Sequence, residues 1–241
     1  MFKIKIADVV VEIHNMYDYS YKMCRDYLTN DATDFSVTVN ESHLEYEKQC
    51  TMDMKIEKTV SDGYYEFIAI YRLICERIAE YDAFMFHAAV IEKDGYGYAF
   101  SAPSGTGKST HIALWRKRFK DSIKIVNGDK PIIRYKDGCF YVYGTPWCGK
   151  EGWQNNVKCP LKAVCFISRA KENSIRISPV SEAYPAFMRQ LFLPEDEHMC
   201  QRVIDLSETM INEIKFYRLF CNMNEDAAEI AEKGMKEGFE K

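Results

Sequence analysis

The stretch from Tyr96 to Phe119 narrows the choice of fold more than any other part of this chain. Tyr96 to Ala102 has the apolar pattern of a strand. Lys108 to Phe119 carries Ile112, Leu114, Trp115 and Phe119 at helical positions. Pro103-Ser104-Gly105-Thr106-Gly107 lies between them. A strand that runs directly into a glycine-rich turn and then a helix is the context in which backbone amides gather around an anion.

The loop reads Ala102-Pro103-Ser104-Gly105-Thr106-Gly107-Lys108-Ser109. It matches the phosphate-loop pattern G-x-x-x-x-G-K-[ST] everywhere except the first glycine, which is Ala102. Gly105 and Gly107 permit a backbone that turns its N–H groups inward, and the following helix aims its positive end at the same point. Lys108 is placed to reach β and γ phosphates, and the Ser109 hydroxyl to meet Mg²⁺. The expected nucleotide-binding set is therefore Ser104, Gly105, Thr106, Gly107, Lys108, Ser109 and Thr110. Such a loop also needs an acidic group at a neighbouring strand end. Asp129 follows the apolar run Ile123-Lys124-Ile125-Val126 and is expected to bind the metal with Ser109 or to accept a proton. The plainer reading is a turn aspartate in Asn127-Gly128-Asp129.

Other residues carry weaker signals. On pattern alone, His87 reads as a hydrogen-bonded core histidine within a strand running from Phe84 to Ile91. The segment from Tyr143 to Trp153 is rich in glycine and aromatics and contains Lys150. It reads either as a loop that closes over a ligand or as a surface connection. Arg169 and Arg189 are candidate anion contacts, although each has the pattern of a solvated charge.

The remaining chain sets the architecture. Phe2 to Ile13 reads as one strand, Met16 to Leu28 as a helix, Phe35 to Val39 as a short strand, and residues 42–50 as helical. Asp62-Gly63 reads as a break, followed by an amphipathic helix from Tyr64 to Tyr81. Beyond the loop helix come strand Ile123–Val126, a hairpin across Lys136-Asp137-Gly138, and strand Leu161–Ile167. Helices near 181–192 and 196–212 and strand Lys215–Cys221 complete the pattern. The turn signal Lys93-Asp94-Gly95 joins strands Phe84–Ile91 and Tyr96–Ala102 in a second hairpin, and hairpins on both sides of the loop argue for a mixed sheet rather than the all-parallel sheet of most phosphate-loop proteins. The expected class is α/β with α+β character: a small N-terminal α+β lobe over residues 1–62 and a core over residues 63–241.

With Phe86-His87-Ala88, Ser101 to Thr110 and Val126-Asn127-Gly128-Asp129-Lys130-Pro131 in view, the chain resembles the HPr kinase/phosphorylase catalytic domain and its relative, ATP-dependent phosphoenolpyruvate carboxykinase. It also resembles bacterial HPr kinase-related proteins with a Gly-Thr-Pro-Trp-x-Gly-Lys segment, some of which sit in peptide-modification clusters. The resemblance spans residues 84–135 and more weakly reaches residue 192. It implies a mixed-sheet P-loop kinase core, ATP and Mg²⁺ as cofactors, and catalytic roles for Asp129, Lys108, His87 and Lys150. The implied reaction moves the γ-phosphoryl group to a hydroxyl of a peptide, small protein or small molecule. HPr kinase has two adjacent aspartates where this chain has Gly128-Asp129. That departure opens an alternative, a nucleotide-binding regulatory module without phosphotransfer. Carboxykinase chemistry needs a metal-binding His and Lys set that the sequence does not display.

A net charge of -4 offers no general attraction to nucleic acid or anionic lipid. Nine scattered cysteines, none in C-x-x-C spacing, read as reduced thiols. The N-terminus lacks the apolar core of a signal peptide, and no run approaches a membrane span. A soluble, cytoplasmic protein is expected, with no membrane or nucleic-acid partner and with oligomerisation left open.

Overall fold

The chain opens with a hairpin, β1 (Phe2–Ile6) and β2 (Val9–His14), rather than one long strand. Ala7 and Asp8 form its two-residue turn with φ of 51° and 57°. Neither is the glycine that normally announces such a turn, so the alternation runs through it unbroken. The computed structural model describes residues 1–53 and 60–237. Helix α1 (Asp18–Met23) and a single 3₁₀ turn at Arg25–Tyr27 occupy the span expected as one longer helix. β3 (Phe35–Thr38) adds parallel to β2, and α2 (Glu41–Asp53) follows.

Helix α3 (Asp62–Arg77) starts two residues earlier than its apolar pattern predicts. Ser61 caps it by accepting from the Tyr64 amide, and a 3₁₀ turn at Ile78–Tyr81 extends it. Asp62-Gly63 is thus a helix start and not a break. Phe67, Ile70, Tyr71 and Ile74 bury one face of α3 in a core shared with β1, β2 and β3. Glu66 is fully buried there. Its carboxylate accepts from the Met16 and Tyr17 amides and the Ser20 hydroxyl, which ties α1 to α3.

The expected strand Phe84–Ile91 is two strands, β4 (Ala83–Met85) and β5 (Ala89–Lys93). β4 pairs with one half of the large sheet and β5 with the other, so the chain crosses over at Phe86-His87-Ala88. Three backbone bonds fix the crossing: Phe86 to the Pro131 carbonyl, His87 to Gln190, and Ala88 to Asp129. After β6 (Tyr96–Ser101) come α4 (Lys108–Phe119), β7 (Ile123–Asn127), and the hairpin of β8 (Ile132–Lys136) and β9 (Cys139–Tyr143). β10 (Lys158–Arg169), β11 (Ser174–Ile177), α5 (Val180–Met188), α6 (Glu197–Glu213), β12 (Lys215–Cys221) and α7 (Asp226–Glu237) complete the described chain. The edge strand β11 carries no clear sequence signal, because only four residues alternate.

The large sheet is curled and mixed, in the order β4-β8-β9-β10-β6-β5-β7, with β12 also on β10 and β11 on β12. β10 belongs to both halves. Its first residues pair antiparallel with β9, and the rest runs parallel to β6 and β12. The two faces of β10 follow the period of two: Ala163, Cys165 and Ile167 pack under α4 and α7, while Val164 and Phe166 pack under α5 and α6. Among the described residues, no helix is long and apolar enough to cross a membrane.

Candidate functional site

The parallel strands β6, β10 and β12 end together, and the loop 102–107 leaves from the end of β6. Ligands of open α/β sheets collect at this edge, because helix N-termini and short loops converge there. Gly105 and Gly107 have φ of 75° and 123°, a backbone that a side chain rarely adopts. The Thr106 amide closes a turn onto the Pro103 carbonyl, and Lys108 is the first residue of α4. Arg169, at the end of β10, donates to the carbonyls of both Gly105 and Thr106. Its guanidinium holds the outer side of the loop. The sequence had suggested a solvated charge.

Opposite the loop, β7 ends in a turn organised by Asn127, which is fully buried. Its Oδ1 accepts from the amides of Asp129 and Lys130, each at 2.8 Å. Its Nδ2 donates to the Thr145 carbonyl, Thr145 Oγ1 and the Trp147 carbonyl. One amide side chain thereby fixes both the strand end and the segment 144–147. Trp147 anchors that segment to α3. Its indole donates to the Phe67 carbonyl at 2.7 Å, and its ring stacks on Phe67 and Tyr71 with centroids 4.9 and 4.3 Å apart. The Tyr71 hydroxyl in turn donates to the Lys130 carbonyl.

Three of the residues singled out from sequence meet here. His87 Nε2 lies 2.9 Å from Asp129 Oδ1, and Lys108 Nζ lies 3.2 Å from the same oxygen. All three side chains are substantially buried, with 33%, 25% and 11% exposure for His87, Asp129 and Lys108. Burial by itself pushes the Asp129 carboxyl up. The His87 hydrogen bond and the Lys108 and Lys130 charges outweigh it and hold the group well below the usual carboxylate range. Because an ionised carboxylate only accepts, His87 donates from Nε2. At Lys108 burial wins instead and lowers the ammonium's value, with Asp129 opposing. Among the described residues, Oδ2 of Asp129 has no hydrogen-bond partner.

Gly128 explains the single carboxylate. A Cβ there would lie 2.9 Å from the Cys148 carbonyl oxygen and 3.3 Å from Trp153, whose own carbonyl accepts from the Gly128 amide. The loop 148–153 covers the position where a neighbouring aspartate would stand. The same loop brings Gly149 against Asp129, yet Lys150 itself is exposed and makes no hydrogen bond or ion pair among the described residues. Ser109 is half-buried and Thr110 exposed, both in the first turn of α4. Arg189 is exposed, at the end of α5. With Arg218 it lines a small cavity of about 80 Å³ beside Pro103.

On the α4 and α7 side of the loop lies a larger cleft of about 440 Å³, walled by α4 and the ends of β10 and β12. A broader depression of about 710 Å³ near Arg116 and Trp153 includes none of Lys108, Ser109 and Asp129. His111, in the wall of the 440 Å³ cleft, was not singled out from the sequence. The available signal was its spacing from Trp115, four residues on and on the same helix face.

A family model described as SynChlorMet cassette protein ScmC matches residues 50–229, which cover the loop, Asp129, β10 and β12. The chain belongs to the ScmC family. No curated protein matches it. Among solved structures, this ScmC-family chain is similar to the Hpr(Ser) kinase/phosphatase from Coxiella burnetii, at 10% identity and a TM-score of 0.37. That match covers 65% of this chain and 94% of the other. The residues the ScmC match spans hold every side chain of the cluster around Asp129.

Proposed function

We propose that this ScmC-family protein is an ATP- and Mg²⁺-dependent kinase that transfers the γ-phosphoryl group to a hydroxyl of a peptide, small protein or small molecule. The single observation carrying this reading is the convergence of Lys108 and His87 on one oxygen of Asp129, directly beyond a loop with two positive-φ glycines at the start of α4. In this reading the amides of Ser104 to Thr110 cradle the polyphosphate, and Lys108 leaves Asp129 to neutralise β and γ oxygens. In this reading the chemistry belongs to residues 63–241, and the strands of the 1–62 lobe pack on α3, which in turn holds Trp147.

A magnesium ion held by nucleotide phosphates needs only one or two protein oxygens. Asp129 Oδ2 and the Ser109 hydroxyl fit that requirement, although no group of three or more His, Cys, Asp or Glu side chains is clustered among the described residues. The ion would supply charge neutralisation at the transferring group. Asp129 orients the acceptor hydroxyl and accepts its proton once Lys108 has moved to the phosphates, since losing that charge raises the carboxyl. His87 fixes the carboxylate and is the second proton carrier. Lys150 stands on the loop above Asp129, where closure of that loop would bring its charge to the phosphoryl group.

The reading is tested with γ-³²P-ATP and calorimetry in millimolar Mg²⁺. Wild type should bind ATP and label an acceptor from a source lysate. Lys108→Ala should lose binding, and Asp129→Asn should bind within about tenfold of wild type while losing transfer by a factor on the order of 10² to 10⁴. Binding that survives in Lys108→Ala removes the phosphate site. Undiminished function of Asp129→Asn, without turnover in either protein, selects the regulatory module instead, a reading favoured by the single carboxylate at the covered Gly128.

A further inference from the structure

We infer that the 440 Å³ cleft between α4 and the ends of β10 and β12 is a purine-nucleobase site, read by the Nδ1–H of His111. The inference rests on the phosphate-loop reading above and adds what the rest of the nucleotide meets.

His111 is only 2% exposed, although its helix is otherwise polar at its start. Its Nε2 lies 2.9 Å from the indole nitrogen of Trp115. An indole N–H can only donate, so Nε2 must accept, and in a neutral imidazole the proton then sits on Nδ1. The ring is neutral because burial pushes its value down to about 3. Nδ1 is therefore a fixed donor, and it has no partner among the described residues. Buried donors are nearly always paired in folded proteins, so an unpaired one on a residue that lines a cleft points to a ligand acceptor that packs against it.

The other walls suit the same ligand. Leu114, Ile167 and Met223 supply apolar surface for a flat ring, and the volume falls within the range of small-molecule sites. Thr106 and Gly107 are shared between the cleft and the phosphate loop, so a ligand filling the cleft continues into the loop. Lys108 and Asp129 do not line it. An acceptor hydroxyl must reach Asp129, so the cleft takes the end of the nucleotide that does not react. Adenine presents unprotonated ring nitrogens at N1, N3 and N7, each an acceptor for a neutral N–H donor.

The experiment compares, on the wild-type protein, the affinities of ATP, UTP, inorganic tripolyphosphate, adenosine, and the 1-, 3- and 7-deaza analogues of ATP. ATP should bind at least about tenfold tighter than tripolyphosphate or UTP. One of the three deaza analogues should bind about fivefold weaker than ATP, the value of one neutral hydrogen bond. His111→Phe keeps the ring shape and should erase that analogue's penalty. Equal affinity of ATP and tripolyphosphate overturns the base site and leaves the phosphate loop standing. Three deaza analogues that all match ATP, or a penalty that persists in His111→Phe, overturn His111 as the reader. Adenosine that binds while tripolyphosphate does not, with the penalty of one deaza-ATP analogue present, upholds the base site and overturns the phosphate loop. The analogue series needs no variant, so it decides whether a ring nitrogen is read even if His111→Phe fails to fold, and His111→Asn is then the second variant that tests the reader.

Discussion

The imidazole of His87 donates to Oδ1 of Asp129 across 2.9 Å, although 42 residues separate them in the chain. The contact exists because the expected strand Phe84–Ile91 is interrupted. Residues 86–88 bond to the backbone of 129–131 and 190 rather than to a neighbouring strand. Lys108 reaches the same oxygen from the start of α4. Two nitrogen donors thus share one carboxylate oxygen, and the consequences can be measured.

Asp129 should make part of the stability of this protein acid-sensitive. The folded value of Asp129 lies below the roughly 3.9 of an unfolded aspartate, so in that window the folded chain binds fewer protons than the unfolded one. The stability it contributes is present above about pH 4 and is lost as pH falls toward the folded value. Asp129→Asn should flatten this part of the urea-midpoint profile between about pH 5 and 2. It should also cost about 1–3 kcal/mol at pH 7, because Lys108 is left as a buried cation without its partner. A variant as acid-sensitive as wild type would remove Asp129 from the pH response.

Gly128→Ala tests whether the covering loop excludes a second carboxylate. The new Cβ meets the Cys148 carbonyl oxygen at 2.9 Å, so the loop 148–153 must shift, at a cost of about 1–3 kcal/mol. Gly128→Asp should lose more stability and gain no activity. A Gly128→Asp protein with wild-type melting temperature contradicts the steric account.

Trp147 joins α3 to the strand end that carries Asp129. Trp147→Ala should destabilise the protein by about 3–5 kcal/mol, read from denaturant unfolding. Trp147→Phe keeps the stack on Phe67 and Tyr71 and loses only the indole hydrogen bond to the Phe67 carbonyl, so about 1–2 kcal/mol is expected. Equal losses in the two variants would argue that stacking contributes little.

Arg169 braces the loop from outside through two carbonyls, and its side chain is exposed. Arg169→Ala should leave the melting temperature within about 2 °C, since surface changes cost little. Affinity for Mg-ATP should fall about three- to tenfold, because the loop must then be ordered on binding. Arg169→Lys should recover part of the loss. Unchanged affinity in Arg169→Ala would mean that the loop is rigid without it.

The elements legible in the sequence are those fixed by their own residues. Strand Lys215–Cys221 and helix Lys108–Phe119 coincide with their apolar patterns, and both flank turns with strong local signals. The mixed sheet was also legible, because hairpins are short-range objects. The failures share a cause. The turn at Ala7-Asp8 uses non-glycine residues in a left-handed conformation, and the crossing at residues 86–88 is stabilised by partners more than 40 residues away. Met16–Leu28 has helical periodicity, but the buried Glu66 carboxylate caps a helix that begins only at Asp18.

The loop is written in its own residues: glycines at 105 and 107, a lysine and a serine behind them, and a strand and helix on either side. These are local, since allowed φ angles, helix propensity and amide spacing are properties of neighbouring residues. Only the tertiary structure decided what surrounds that loop. It brought His87 and Lys108 to one oxygen of Asp129, closed the space beside Gly128, turned Arg169 onto the loop carbonyls, and left the buried His111 donor unpaired beside a cleft. Each of these depends on how strands far apart in the chain order themselves in one curled sheet, an arrangement set by burying three cores at once and not encoded in any short segment.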